Sequence, residues 1–295
     1  MRRKGMTLVE MVVVVFLVLV MIGLLLPATQ RTIPSSLRLQ TNNNLKQCAL
    51  AVHSFHDNYK KLPHGNGPGG IYEKNHPMWF QILPFVEANH VYTAGNLTES
   101  IASYYAPSDE SNEDQAGVLS FAANVRVVGY QTFLSSSLKQ AVDQPGTALE
   151  TKAGPMLCGL NLGAIKDGTQ NTIIFSTRYA NCNGQKTWYA ADALGGCELG
   201  KLPSPGVGGF MGAGSHSTPP TKDGPITAMY QLHPTALGCL PQPGVFGHSF
   251  GPHGLSVALC DGSVRNIRPD MSPLTFGRAL CPGDGANHDK DWDED

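Results

Sequence analysis

The sequence predicts an α+β protein in which a long N-terminal helix packs on a mainly antiparallel β-domain with long loops. Three observations carry this. The chain opens with an unbroken apolar run, Met11 to Leu26; a helical apolar pattern follows it; and beyond residue 60 glycine and proline (33 and 21 in the chain) cluster among short apolar runs. With 295 residues, 41% of them apolar, the chain can build a real core.

The first element is the apolar run. Arg2, Arg3 and Lys4 precede it and would hold that end in the cytoplasm. From Met6 to Leu26 a helix would extend about 31 Å, enough to cross a bilayer core. A secretory signal peptide or a plain anchor are the simpler readings. Glu10 argues against both, because a carboxylate in such a run costs on the order of 2.5–3.5 kcal/mol and is seldom kept without a partner.

Gly5-Met6-Thr7-Leu8-Val9-Glu10 resembles the processing site of type IV prepilins and pseudopilins. The resemblance implies cleavage after Gly5 by a prepilin peptidase, N-terminal methylation of Met6, and an assembly role for Glu10 against a neighbouring subunit's amine. Pro27 sits where many pilins carry a helix-loosening proline. The implied division is a leader at 1–5, a transmembrane or filament-core helix at 6–27, the soluble half of that helix at 28–60 and a β-rich domain at 61–295.

After Pro27, the spacing of Leu45, Cys48, Ala49, Val52, His56 and Tyr59 predicts a helix to about Asn58, kinked or restarted at Pro34. Gly65 to Gly70 matches G-x-G-x-x-G, but Pro68 lies inside it and neither a strand nor a helix flanks it, so no phosphate loop is expected. Trp79 to Phe85 reads as an aromatic core segment; Phe121 to Val128 and Thr172 to Phe175 read as strands. Asp167-Gly168, ahead of a strand, and Asp261-Gly262, between two apolar runs, both read as turns, the second with the strong hairpin signal of Asp-Gly flanked by such runs.

These segments resemble a pilin-like family known as domain of unknown function 1559, marked by a prepilin-type N-terminus and a C-terminal H-x9-DG motif. The residues that carry the resemblance are Asn43 to Gln47 with His53, His56 and Asp57; Pro107-Ser108-Asp109; Asp167 to Thr172; Asp261 to Arg265; and Trp292. Two departures stand out: only seven residues separate His253 from Asp261-Gly262, and Ala106 replaces the usual cysteine before Pro107.

The seven cysteines form no C-x-x-C pair. Cys182 and Cys197 are the best local disulfide pair, and Cys48 is the candidate for an unpaired thiol. His53, His56 and His64 could meet at a metal, although packing against the β-domain is the simpler role. Asp289, Asp291 and Asp293 alternate as calcium ligands do, against a simpler reading as a solvated acidic tail; calcium is the one cofactor suggested. No hydrolase motif occurs, so no enzyme is expected. A net charge of -2 without a basic stripe argues against nucleic acid.

The expected function is therefore a structural subunit or accessory pseudopilin of a type IV pilus-like or type II secretion-like filament. Its partners would be prepilin peptidase, other pilin-like subunits and the inner membrane. The precursor would be single-pass, the mature protein in the periplasm or a surface filament. The alternative is a membrane-tethered binding or hydrolytic domain.

Overall fold

A computed structural model describes residues 5, 7–30, 32–63, 66–69, 72–96, 98–111, 116–128, 162–187, 189, 210–211, 230–235, 238–239, 247–280, 282 and 290–292. Helix α1 (Leu8–Gln30) is followed by α2 (Thr32–Tyr59). Pro34 falls in the first turn of α2, where its missing N–H is one that has no helical partner anyway. Lys60, just past α2, takes a left-handed φ of 57° and donates its backbone N–H to the His56 carbonyl, which closes the helix.

The stripe on α2 is its buried face: Leu45, Cys48, Ala49 and Val52 are all buried, and Phe55 joins them. Beyond α2, β1 (Asn66–Gly69) and β2 (Tyr72–Pro77) pair as antiparallel strands, so Asn66 to Gly69 of the glycine-rich stretch form a strand. Helices α3 (Met78–Gln81) and α4 (Asn89–Ala94) follow, with Trp79 and Phe80 fully inside. Trp79 packs edge-on to Tyr104 and against Phe175, and the Tyr104 hydroxyl donates to the Trp79 carbonyl.

Phe121 to Val128 divides: β3 (Phe121–Asn124) is a strand and α5 (Val125–Val128) a single helical turn. Asn124 marks the change. Its buried side-chain amide donates to the Ile173 and Leu280 carbonyls, 2.8 and 2.9 Å away. Then come β4 (Ile173–Thr177), the short pair β5 (Asn181–Cys182) and β6 (Gln185–Lys186), β7 (Phe210–Met211), β8 (Gln231–Leu232), β9 (His248–Ser249), β10 (Leu255–Leu259), β11 (Val264–Ile267) and α6 (Pro273–Leu280). The main sheet has the order β11-β10-β4-β3-β7, antiparallel except where β3 meets β7.

Side chains on successive strand residues go to opposite layers. Phe121, Ala123, Phe175, Ala258 and Cys260 join α2 in one core. Ala122, Val257, Leu259 and Ile267 join Phe276, Ala279 and Leu280 of α6, with Met271 and Trp292, in a second. The sheet is thus covered on both faces, which is why β3, β4 and β10 are buried along their whole length.

The α+β class is what the fold shows; the membrane or filament helix expected at 6–27 is corrected. Among the described residues no helix is long and apolar enough to cross a membrane.

Candidate functional site

The polar residues singled out in the sequence converge on the loops that join α2 to the sheet. Thr41 of α2 meets the Ser108 hydroxyl at 3.2 Å. One turn on, the Asn44 amide donates to the Ala102 and Tyr105 carbonyls at 3.1 and 2.7 Å, and Gln47 accepts from Ser103 at 2.8 Å. The buried Cys48 thiol completes the row by donating to the Ser103 carbonyl. Spacings of three and four residues put these four side chains along one side of the helix.

Asp109 is the most enclosed carboxylate among the described residues, 3% exposed. One oxygen accepts from the Ser111 backbone N–H and hydroxyl at 2.9 and 2.6 Å; the other accepts from the Ser120 hydroxyl and the Ala180 N–H, both at 2.8 Å. Burial pushes its carboxyl above the ordinary range, and the hydrogen bonds from Ser111, Ala180 and Ser120 only partly offset it. Its acceptor sites are filled by the protein's own donors, which ties the 106–111 loop to β3 and to the end of β4.

Asp261 repeats this local device, accepting from the Ser263 N–H and hydroxyl at 2.8 and 2.6 Å. It sits in the turn of the β10–β11 hairpin, as Asp-Gly signalled. Gly262 is required there by its φ of +85°, and a Cβ on it would touch the His53 ring and Leu50 at 3.5 Å. The turn therefore rests on α2. Asp167-Gly168 opens a turn in which Asn171 and Thr172 bond back to the Asp167 and Gly168 carbonyls. The Thr169 and Thr172 carbonyls accept from the Asp261 and Cys260 N–H groups, so the two Asp-Gly turns lie side by side.

His253 does not join them. It precedes β10 while Asp261 follows it, and the five-residue strand alone separates them by about 13 Å. His53 and His56 both face packed loops; the Leu162 N–H points at the His56 Nε2 at 3.4 Å. His64 lies outside the described residues. No group of three or more potential metal ligands occurs among the described residues.

The disulfide expectation is corrected. Cys182 bonds to Cys239, 57 residues away, and not to its neighbour Cys197, which lies outside the described residues. Cys48 and Cys260 are free and buried, and burial pushes both thiols well above their ordinary range. At the other end of the chain, Asp291 caps α6: its carboxylate accepts from the Ser272 N–H at 2.8 Å and the Thr275 hydroxyl at 2.7 Å. Desolvation raises its carboxyl, but the bonds from Thr275 and Ser272 together outweigh this and hold it below the ordinary range. Asp289 and Asp293 lie outside the described residues. Trp292 is buried under the Arg265 guanidinium, 4.4 Å above its ring, which also donates to the Trp292 carbonyl.

Sequence reasoning missed a signal at the N-terminus. Thr7-Leu8-Val9-Glu10 is a capping box: Glu10 accepts from the Thr7 N–H at 2.8 Å and hydroxyl at 2.9 Å, and its own N–H points back at the Thr7 hydroxyl. The backbone and then the side chain of Thr7 hold the Glu10 carboxyl below its ordinary value. Glu10 thus has partners within its own chain. Gly5 is exposed with open space around it, and Met6 lies outside the described residues.

A family model described as a protein of unknown function (DUF1559) matches residues 38–270, well over half of the chain and entirely beyond α1. No curated protein and no solved structure matches. Neither this match nor the fold carries the filament subunit or pseudopilin, the membrane-tethered alternative, the prepilin peptidase, pilin-like and inner-membrane partners, or the single-pass and periplasmic or surface location. Those expectations rested on a membrane-crossing helix, and among the described residues there is none. By its match over 38–270 the chain belongs to the DUF1559 family of proteins of unknown function.

Proposed function

We propose that this chain is a non-catalytic interaction protein, a rigid α+β body that presents helix α1 for docking onto another protein. The observation that carries the reading is the exposure of α1: its large apolar residues from Leu8 to Ile22 lie between 43% and 80% exposed, on every side of the helix. A helix apolar all round is stable only when enclosed, and a continuous exposed apolar surface marks an interaction site. The body supports the reading as well. Asp109, Asn44, Asn124 and Asp261, the polar groups best placed to do chemistry, are committed to backbone and hydroxyl donors or carbonyls of the body itself.

The test compares the full chain with a Val13→Lys, Leu17→Lys double variant by light scattering and chemical cross-linking. The native chain is expected to form protein–protein complexes, and the variant to lose them while the body keeps its circular dichroism. A native chain that stays monomeric and uncross-linked would overturn the proposal.

A further inference from the structure

We propose that His248 is an acid-sensitive joint, in which the neutral imidazole pins the end of β4 to β9 and its protonation frees the 230–235 stretch, left tethered by the Cys182–Cys239 bond. His248 is 1% exposed, and its Nδ1 lies 3.1 Å from the backbone nitrogen of Tyr179. A backbone N–H can only donate. Nδ1 must therefore be the acceptor, and the folded ring is neutral with its proton on Nε2. A second proton on the ring would set one N–H against another in a site closed to water.

What the joint holds is a compact set of contacts around one segment. Strand β8 pairs with β9, and Gln231 and His233 donate their N–H groups to the Gly247 and Ser249 carbonyls. Tyr179 stacks on the His248 ring with centroids 5.4 Å apart, packs against Phe250, and donates its hydroxyl to the Pro234 carbonyl at 2.7 Å. The disulfide is the one covalent link from this set to Cys239. Loss of the Tyr179–His248 bond therefore strikes the residue that also holds Pro234.

Among the described residues, the ionisable groups around the joint come from three sides. On the β4 side Arg178, buried, immediately precedes Tyr179. From the 109–111 loop, Asp109 and Glu110 act electrostatically on Tyr179, and Asp109 bonds the Ala180 N–H. From the β8 side comes His233. The two carboxylates favour a charged imidazole, whereas burial and the fixed Tyr179 donor oppose it. The Tyr179 donor is in direct contact with the ring, so the neutral form is the folded one.

The sign follows from proton uptake. An ordinary imidazole takes a proton below about pH 6.5, and the folded site excludes it. The unfolded or opened form then binds more protons, so the joint is intact above about pH 6.5 and weakens as pH falls, by up to about tenfold per pH unit.

The experiment is hydrogen exchange on the full chain at pH 7.5 and pH 5, corrected for intrinsic rates and read at the amides of Tyr179, Gln231 and His233. In the native chain their protection is expected to fall about tenfold or more, while the amide of Val257 in β10 keeps its own. His248→Asn, whose Oδ1 replaces the acceptor and does not titrate, is expected to change less than about twofold at the same amides. Equal losses in both proteins, or full protection of the native chain at pH 5, would overturn the joint. Should His248→Asn fail to fold, the His248 ring resonances of the native chain decide. Protonation in step with loss of Tyr179 protection supports the proposal; protonation with Tyr179 still protected overturns it.

Discussion

Asp109 shows how far a single residue can be read and where reading stops. Its place in Pro107-Ser108-Asp109 marked it for attention, and Asp-x-Ser is a turn signal that recurs at Asp261-x-Ser263. Neither could reveal that the Ala180 N–H closes on it from 71 residues away. That contact fixes what a substitution does. Asp109→Asn keeps the shape but turns an NH2 toward either the Ser111 or the Ala180 backbone N–H, neither of which can reverse its role. A buried donor left without an acceptor costs about 1–3 kcal/mol, and thermal or denaturant unfolding should show a loss of that size. Gly262 offers a second case. Gly262→Val is expected to destabilise the hairpin turn, because it strains a φ of +85° and crowds His53 and Leu50; the shift in unfolding midpoint measures it. At Glu10 the sequence reading looked to a neighbouring subunit's amine and overlooked Thr7, three residues away, which supplies two donors.

At the scale of elements, periodicity was informative where one face of an element is buried. The apolar stripe of α2 and the hairpin around Asp261-Gly262 were both legible, since Leu45, Cys48 and Val52 lie on one helix face and Asp-Gly separates two apolar runs. Phe121 to Val128 was legible only in part: it is apolar throughout, and no alternation told the strand from the helical turn after Asn124. The cysteines show the same limit. Chain proximity favoured Cys197, while the fold brings Cys239 to a Cα distance of 5.6 Å from Cys182. Closing a loop of 57 residues contributes about 4 kcal/mol in the chain-entropy account. Cys239→Ser should therefore lower unfolding stability by an amount of that order, with the loss reproduced in the native chain by reduction under denaturing conditions and refolding with dithiol present.

For the whole molecule, the sequence conveyed the α+β class and the contrast between an apolar first helix and a body rich in turns. It did not convey that the sheet is sandwiched between α2 and α6, because α6 is only eight residues long and its core partners Leu255, Val257 and Ile267 sit on strands whose other neighbours face α2. Nor did it convey that the motif residues serve the body's own loops, since that is a property of contacts between segments far apart in the chain. What the fold leaves exposed is the described apolar surface of α1, which on the proposed reading another protein covers. The most direct measurement places a photo-reactive phenylalanine analogue at Phe16, which is 64% exposed, in the full chain under native conditions. Cross-links from that position to a polypeptide are expected, and are lost when Val13 and Leu17 are both changed to lysine. Cross-links to lipid alone, or none at all in folded protein, would contradict it.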